Sequence, residues 1–109
     1  MLNNETLAGK WRIVEMELWQ PRYIDLVEPG YIEFIEPQYG SIHFGCIYAD
    51  IHYRVNKQGR VEYSFAGQDE GKEILGSGWA KINKKQQLSG RIFIQYGDNS
   101  WFKAEKIAD

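Results

Sequence analysis

The sequence predicts an all-β domain, an antiparallel up-and-down barrel of about eight strands. Apolar residues recur with period 2 and almost never with period 3.6. Polar clusters with turn chemistry separate these runs at even spacing. Aromatics make up 15% of the chain and fall in runs that also hold Ile and Val, the residues that suit a pleated surface. A chain of 109 residues fits one domain, 1–109, and leaves no room for a second core.

The first strand spans residues 10–18 and poses a fork. If it runs uninterrupted, Trp11, Ile13, Glu15, Glu17 and Trp19 share one face and Val14, Met16 and Leu18 the other. An inward Trp11 would then carry two carboxylates into the barrel, where a buried acid needs a partner; Arg91 is the candidate. A bulge near Ile13-Val14 would instead return Val14, Met16 and Leu18 to the core and leave the acids in solvent. We prefer the bulge, because it restores an ordinary apolar core.

Residues 19–30 form a loop broken by Pro21, Pro29 and Gly30, yet Trp19, Tyr23, Ile24, Leu26 and Val27 are apolar. Such a loop should pack across an open barrel end as a short helical turn. Strands follow at 31–35 and through Ile42, Phe44, Cys46 and Tyr48, which share one parity. Ile51, Tyr53 and Val55 share the other, so the phase flips near Ala49-Asp50 at a turn or bulge. Val61-Glu62-Tyr63-Ser64-Phe65 alternates strictly, and further strands lie at 74–82, 88–95 and 100–107. Asn56-Lys57-Gln58-Gly59, Asn83-Lys84-Lys85-Gln86 and Gly97-Asp98-Asn99-Ser100 tolerate positive φ or bond their own backbone, so they join neighbouring strands. Residues 68–73 read as a longer solvated loop. The small residues Gly76, Gly78 and Ala80 leave space for rings from across the barrel.

Leu7-Ala8-Gly9-Lys10-Trp11 resembles the Gly-x-Trp signature of the calycin superfamily: lipocalins, fatty-acid-binding proteins and avidins. The resemblance implies a helical turn before Gly9, a Trp11 that closes the barrel bottom, and a basic residue of the last strand, Lys103 or Lys106, over its ring. It also implies a first loop over the mouth. The segment Trp11 to Trp19, with Tyr23-Ile24-Asp25 and Pro29-Gly30-Tyr31-Ile32, resembles a group of small bacterial proteins, which brings no activity with it.

Thirteen basic residues against 15 acidic form no stripe that could follow a phosphate backbone, so nucleic acid is not an expected partner. A single cysteine, Cys46, suggests a reducing cytoplasm. Met1-Leu2-Asn3-Asn4-Glu5 lacks the marks of a signal peptide, and no apolar run reaches the roughly 20 residues needed to span a bilayer. A soluble protein, not a membrane one, is expected.

No catalytic, metal or cofactor motif appears. His43 and His52 fall on the polar parity and read as surface residues; Cys46 reads as a small buried hydrophobe. The leading expectation is therefore a non-enzymatic module that binds a small, partly apolar ligand at the barrel mouth. Trp19, Tyr23 and Asp25 would line the entrance, with Glu17 and Arg91 fixing polar groups. The alternative is a protein-interaction or inhibitor module that uses the first loop and its aromatics, with a small enzyme third. A cavity of about 300 Å³ or more open at the first loop would support the ligand reading. A filled interior with an exposed apolar patch would support the partner reading.

Overall fold

Each alternating run turns one parity inward, and eight such runs close on themselves. The computed structural model describes residues 7–107. It contains β1 (Gly9–Met16), α1 (Pro21–Ile24), β2 (Tyr31–Ile35), β3 (Tyr39–Phe44), β4 (Ile47–Val55), β5 (Val61–Asp69), β6 (Lys72–Ile82), β7 (Gln87–Ile94) and β8 (Asn99–Lys106). The strands follow chain order around a closed barrel, all antiparallel, with β8 pairing back onto β1. This is the up-and-down order expected of a calycin-like barrel.

The interior is filled by its own side chains. Trp11, Ile13, Ile32, Phe34, Ile42, Phe44, Ile51, Tyr53, Tyr63, Phe65, Leu88, Ile92 and Phe102 belong to one continuous buried cluster. Gly76 and Gly78 do make room for rings, but these come from the paired strand β5 rather than from across the barrel. A Cβ at Gly76 would lie 2.2 Å from the Phe65 ring, and one at Gly78 would lie 2.3 Å from the Tyr63 hydroxyl. That hydroxyl donates to the Arg91 carbonyl at 2.8 Å, which satisfies the one polar atom the ring carries inside.

At the bottom, Trp11 is buried and its Nε1–H donates to the Leu7 carbonyl at 2.9 Å. The Lys106 ammonium lies 4.9 Å from the Trp11 ring centre, so Lys106 fills the role expected of a basic residue on the last strand. Lys103 instead faces Trp101 on the outer wall, at 5.6 Å. The helical turn expected before Gly9 and the reading of Met1 to Glu5 fall mainly on residues 1–6, outside the described residues.

The register of β1 against β8 shifts between Ile13 and Glu15, which is the bulge anticipated from the core pattern. Met16 is buried and Glu15 and Glu17 face solvent. Val14 and Leu18 depart from expectation: Val14 sits at the bulge, half-buried and outside the core cluster, and β1 ends at Met16, which leaves Leu18 49% exposed.

Two turns also differ from the sequence reading. The phase flip lies at Gly45-Cys46 rather than Ala49-Asp50, with Gly45 at φ +58°. Ala49 is a small inward residue of the core cluster, and Tyr48 points outward. The polar stretch 68–73 is not a long loop. Glu70 and Gly71, at φ +52° and +83°, make a two-residue hairpin, and β5 and β6 run up to it. The turns at Asn56 and Asn83 are as read, with Asn56 Oδ1 accepting from the amides of Gln58 and Arg60 and Asn83 Oδ1 from those of Lys85 and Gln87. The third turn differs: it lies at residues 95–98 with the positive φ on Tyr96, and Asn99 and Ser100 already belong to β8.

Replacing Trp11 with Ala removes a buried ring from the barrel floor and should cost about 3–5 kcal/mol. Urea unfolding followed by circular dichroism checks this, and a midpoint equal to that of the parent would contradict the role given to Trp11.

Candidate functional site

The connection from β1 to β2 covers part of the mouth because its one helical turn is well set up. Pro21 needs no amide partner at the start of a helix, and the Gln20 carbonyl accepts from Tyr23 and Ile24 at 2.9 and 3.0 Å. The turn drives Ile24 into the core and lays Tyr23 and Trp19 on it. Trp19 lies 4.9 Å from Phe44 and 6.5 Å from Tyr23, ring centre to ring centre. Gly45 makes room for this: a Cβ there would sit 2.1 Å from the Tyr23 ring. Desolvation in this packing is the main cause that raises the Tyr23 phenol above its ordinary range. Trp19 and Tyr23 thus pack over this side of the mouth.

Beyond α1 the loop is fastened to the outer wall. Asp25 accepts from the Gly30 amide at 2.9 Å through one oxygen and from Arg12 Nη2 at 3.0 Å through the other. Gly45 N–H donates to the Ile24 carbonyl at 3.0 Å, and Tyr48 donates its hydroxyl to Glu28 at 2.9 Å. Between these fastenings Leu26 and Val27 stand out, 56% and 60% exposed.

The five residues singled out from the sequence therefore occupy three places. Trp19 and Tyr23 meet at the mouth. Asp25 binds Arg12 on the outer wall. Glu17 and Arg91 do pair, Nη1 to Oε1 at 3.7 Å, but outside the barrel, where Glu17 also accepts the Trp101 amide and Arg91 donates to Asn99. Both are substantially exposed, so the pair holds the end of β1 against β8 and contributes little to stability.

His43 corrects the sequence reading. It lies on the outer parity, yet it is completely buried. A cross-strand row explains this: Arg12, Tyr31, His43, Tyr48, Gln68 and Glu73 are successive partners across β1 to β6. The imidazole stacks on Tyr48 at 3.9 Å and lies 5.8 Å from Tyr31. Its Nδ1 meets the Ile47 carbonyl at 2.9 Å, while Nε2 is buried without a partner. Residue identity alone gave no sign of this burial, because the row exists only once the register is known. His52, as expected, is exposed. Beside the row runs an outer-wall groove of about 500 Å³, bordered by Tyr31, Ser41, Tyr48, Asp50, Gln68 and Glu73.

Cys46 is half-buried in the β3–β4 turn rather than on a strand. Desolvation first, and then a hydrogen bond to Glu70, raises its thiol above the ordinary range. Among the described residues no group of three or more His, Cys, Asp or Glu could hold a metal ion.

Two outcomes follow. Because the Cys46 pKa is raised, its thiolate fraction near pH 8 should be below that of a free thiol. Iodoacetamide should alkylate it more slowly than glutathione at that pH, with the gap closing as the pH climbs further. Asp25→Ala should release the loop at a cost of about 1–2 kcal/mol, seen as faster hydrogen exchange at the Gly30 amide. Comparisons with protein-family models, curated proteins and solved structures find no match, so what is established for this chain is its fold, an eight-stranded closed antiparallel barrel.

Proposed function

We propose that this barrel is a non-enzymatic module that binds a protein partner on its outer surface, through the first loop and the adjoining Tyr31–Tyr48 wall. The observation that carries the reading is the fastened loop. Leu26 and Val27 are bare aliphatic side chains on a segment held by Asp25 and Glu28. Fully burying such a side chain contributes about 1.5–3 kcal/mol, and a loop already held in place loses little freedom on binding. The filled interior supports the same choice, since it leaves recognition to the outside. Membership of the calycin superfamily belongs to this proposal. Gly9-Lys10-Trp11, the Lys106 ammonium over Trp11 and the strand order support it.

A small, partly apolar ligand is the second reading, and one feature favours it. A cleft of about 600 Å³ lies between the β5–β6 hairpin and the β7–β8 turn, with Ile74 and Ile94 in its lining. This cleft lies away from the Trp19 and Tyr23 entrance anticipated from the sequence.

The test is affinity capture by the parent chain and by a Leu26→Asp/Val27→Asp variant, followed by direct titration of whatever protein the parent retains. The parent should bind it and the variant should lose at least tenfold in affinity at an unchanged melting temperature. Equal binding by both would overturn the reading.

A further inference from the structure

We propose that the mouthward edge of β1 receives an extended segment of the partner as an added strand, with an apolar residue between two basic ones; this rests on the protein-binding reading above. The barrel closes through a short pairing. β1 is in register with β2 only from Gly9 to Arg12, whereas it continues to Met16 against β8 alone. One further bond crosses to the loop, from the Ile13 amide to the Gly30 carbonyl at 2.9 Å. Beyond it, the side of β1 that β2 would occupy has no neighbouring strand.

The main-chain groups on that side follow from the register. Glu17 donates its amide to the Trp101 carbonyl at 3.1 Å, so Glu17 faces β8. Successive residues of a strand point their N–H and C=O groups to opposite sides, so Met16 turns both of its own away from β8. Neither forms a hydrogen bond among the described residues. The Ile13 carbonyl faces the same gap, and the Gly30 amide that would have met it goes to Asp25 instead. Met16 is 5% exposed and Ile13 1%, so these groups sit on residues that the fold has otherwise taken out of solvent. Main-chain groups on buried residues are nearly always paired, and here one donor and two acceptors are left along one edge.

A groove of about 620 Å³ opens beside them, bordered by Val14, Met16, Leu18, Trp19 and Pro21. Its lining comes wholly from residues 14–21. A hollow on the β8 side would be bordered by β8 as well, so the groove runs along the free edge. Leu18, 49% exposed, is the apolar side chain that an added strand would cover.

Edge geometry and charge together select the occupant. Main-chain donors and acceptors set along a strand edge match an extended backbone, which a helical segment cannot present. A residue paired with Met16 shares its inward face and is apolar, while its two neighbours lie opposite Glu15 and Glu17 on the outer face. Those carboxylates are the only charged side chains that line the groove, so the neighbours are lysine or arginine. Their present ion-pair partners, Lys103 at 4.0 Å and Arg91 at 3.7 Å, come from β8 and β7 on the other side. A second copy pairing through the same edge would set Glu15 against Glu17, and like charges directly opposite are destabilising.

The experiment is nitrogen-15 NMR on the full chain, free and titrated with three peptides. They are Ac-Gly-Lys-Val-Lys-Gly-amide, the same peptide with N-methylvaline, and the same peptide with both lysines replaced by glutamate. In the free chain the Met16 amide should exchange with solvent faster than the Glu17 amide. The basic peptide should shift the Met16 amide downfield and slow its exchange, and the glutamate peptide should do neither. N-methylation removes the donor to the Met16 carbonyl and should weaken binding about tenfold. Glu15→Gln/Glu17→Gln should weaken the basic peptide about fivefold at an unchanged melting temperature.

A free Met16 amide as protected as that of Glu17, no shift at Met16, or equal binding of the parent and N-methyl peptides would each overturn the proposal. So would Met16 protection that rises with protein concentration alone, which would make the occupant a second copy. With the captured partner as titrant, binding that depends on Leu26 and Val27 but leaves Met16 exchanging freely overturns this inference alone. Partner binding that protects Met16 but ignores the Leu26→Asp/Val27→Asp variant supports the edge and overturns the loop reading.

Discussion

Phe65 and Tyr63 lie across Gly76 and Gly78 on the neighbouring strand, and most of the molecule is arranged around that fit. An eight-stranded barrel is just wide enough to be filled by its own side chains or to keep room for one small guest. Here the space vacated at two glycines is taken by two rings, and Phe34 and Tyr53 meet edge to face at 5.0 Å in the same interior. These rings and aliphatic side chains form one continuous buried cluster in the space a guest would occupy. Chemistry that recognises something else therefore has to sit on the rim or the outer wall.

The first loop shows how a segment can belong to both the core and the surface. Its first half, through Ile24, belongs to the core: Ile24 is buried in it, and Trp19 and Tyr23 pack against it, Trp19 on Phe44. Its second half is held by polar bonds to the wall, which fix the backbone while leaving Leu26 and Val27 uncovered. A flexible loop with two bare aliphatics would collapse onto the nearest apolar surface. Asp25 prevents this by tying Gly30 and Arg12 to the same carboxylate.

Much of the architecture was legible because the period-2 pattern and the asparagine turns are local signals. The strand count, the bulge in β1 and the rings over glycine follow from parity and spacing, whereas the lysine over Trp11 was expected only from the resemblance of Gly9-Lys10-Trp11 to calycins. The errors came where parity is ambiguous. Ala49 is small enough to read as either face, so the flip at Gly45 was displaced and Cys46 was placed on a strand. The preferred bulge, which reverses the parity after Ile13, already put Glu17 in solvent; what parity did not give is that Arg91 meets it there on the outer wall rather than at the mouth. His43 was missed for a different reason. Its burial depends on Tyr31 and Tyr48 lying opposite it, and both are far from it in character and belong to other strands.

The seam between β1 and β8 also sets an order of events. Lys106 reaches Ala8 across 98 positions of sequence, and each strand between them pairs with its neighbour in the chain. Six hairpin-like pairings, from β2 to β8, can form locally as the chain emerges from the ribosome, but the ring can close only after β8 has been made. Until then Trp11 and Ile13 have no complete shelter, and β1 presents an unpaired edge to anything nearby. Closure of this kind joins the most distant segments last, which places the barrel among slow, high-contact-order folders. A nascent chain stalled before β8 is the state in which this protein is most exposed to aggregation.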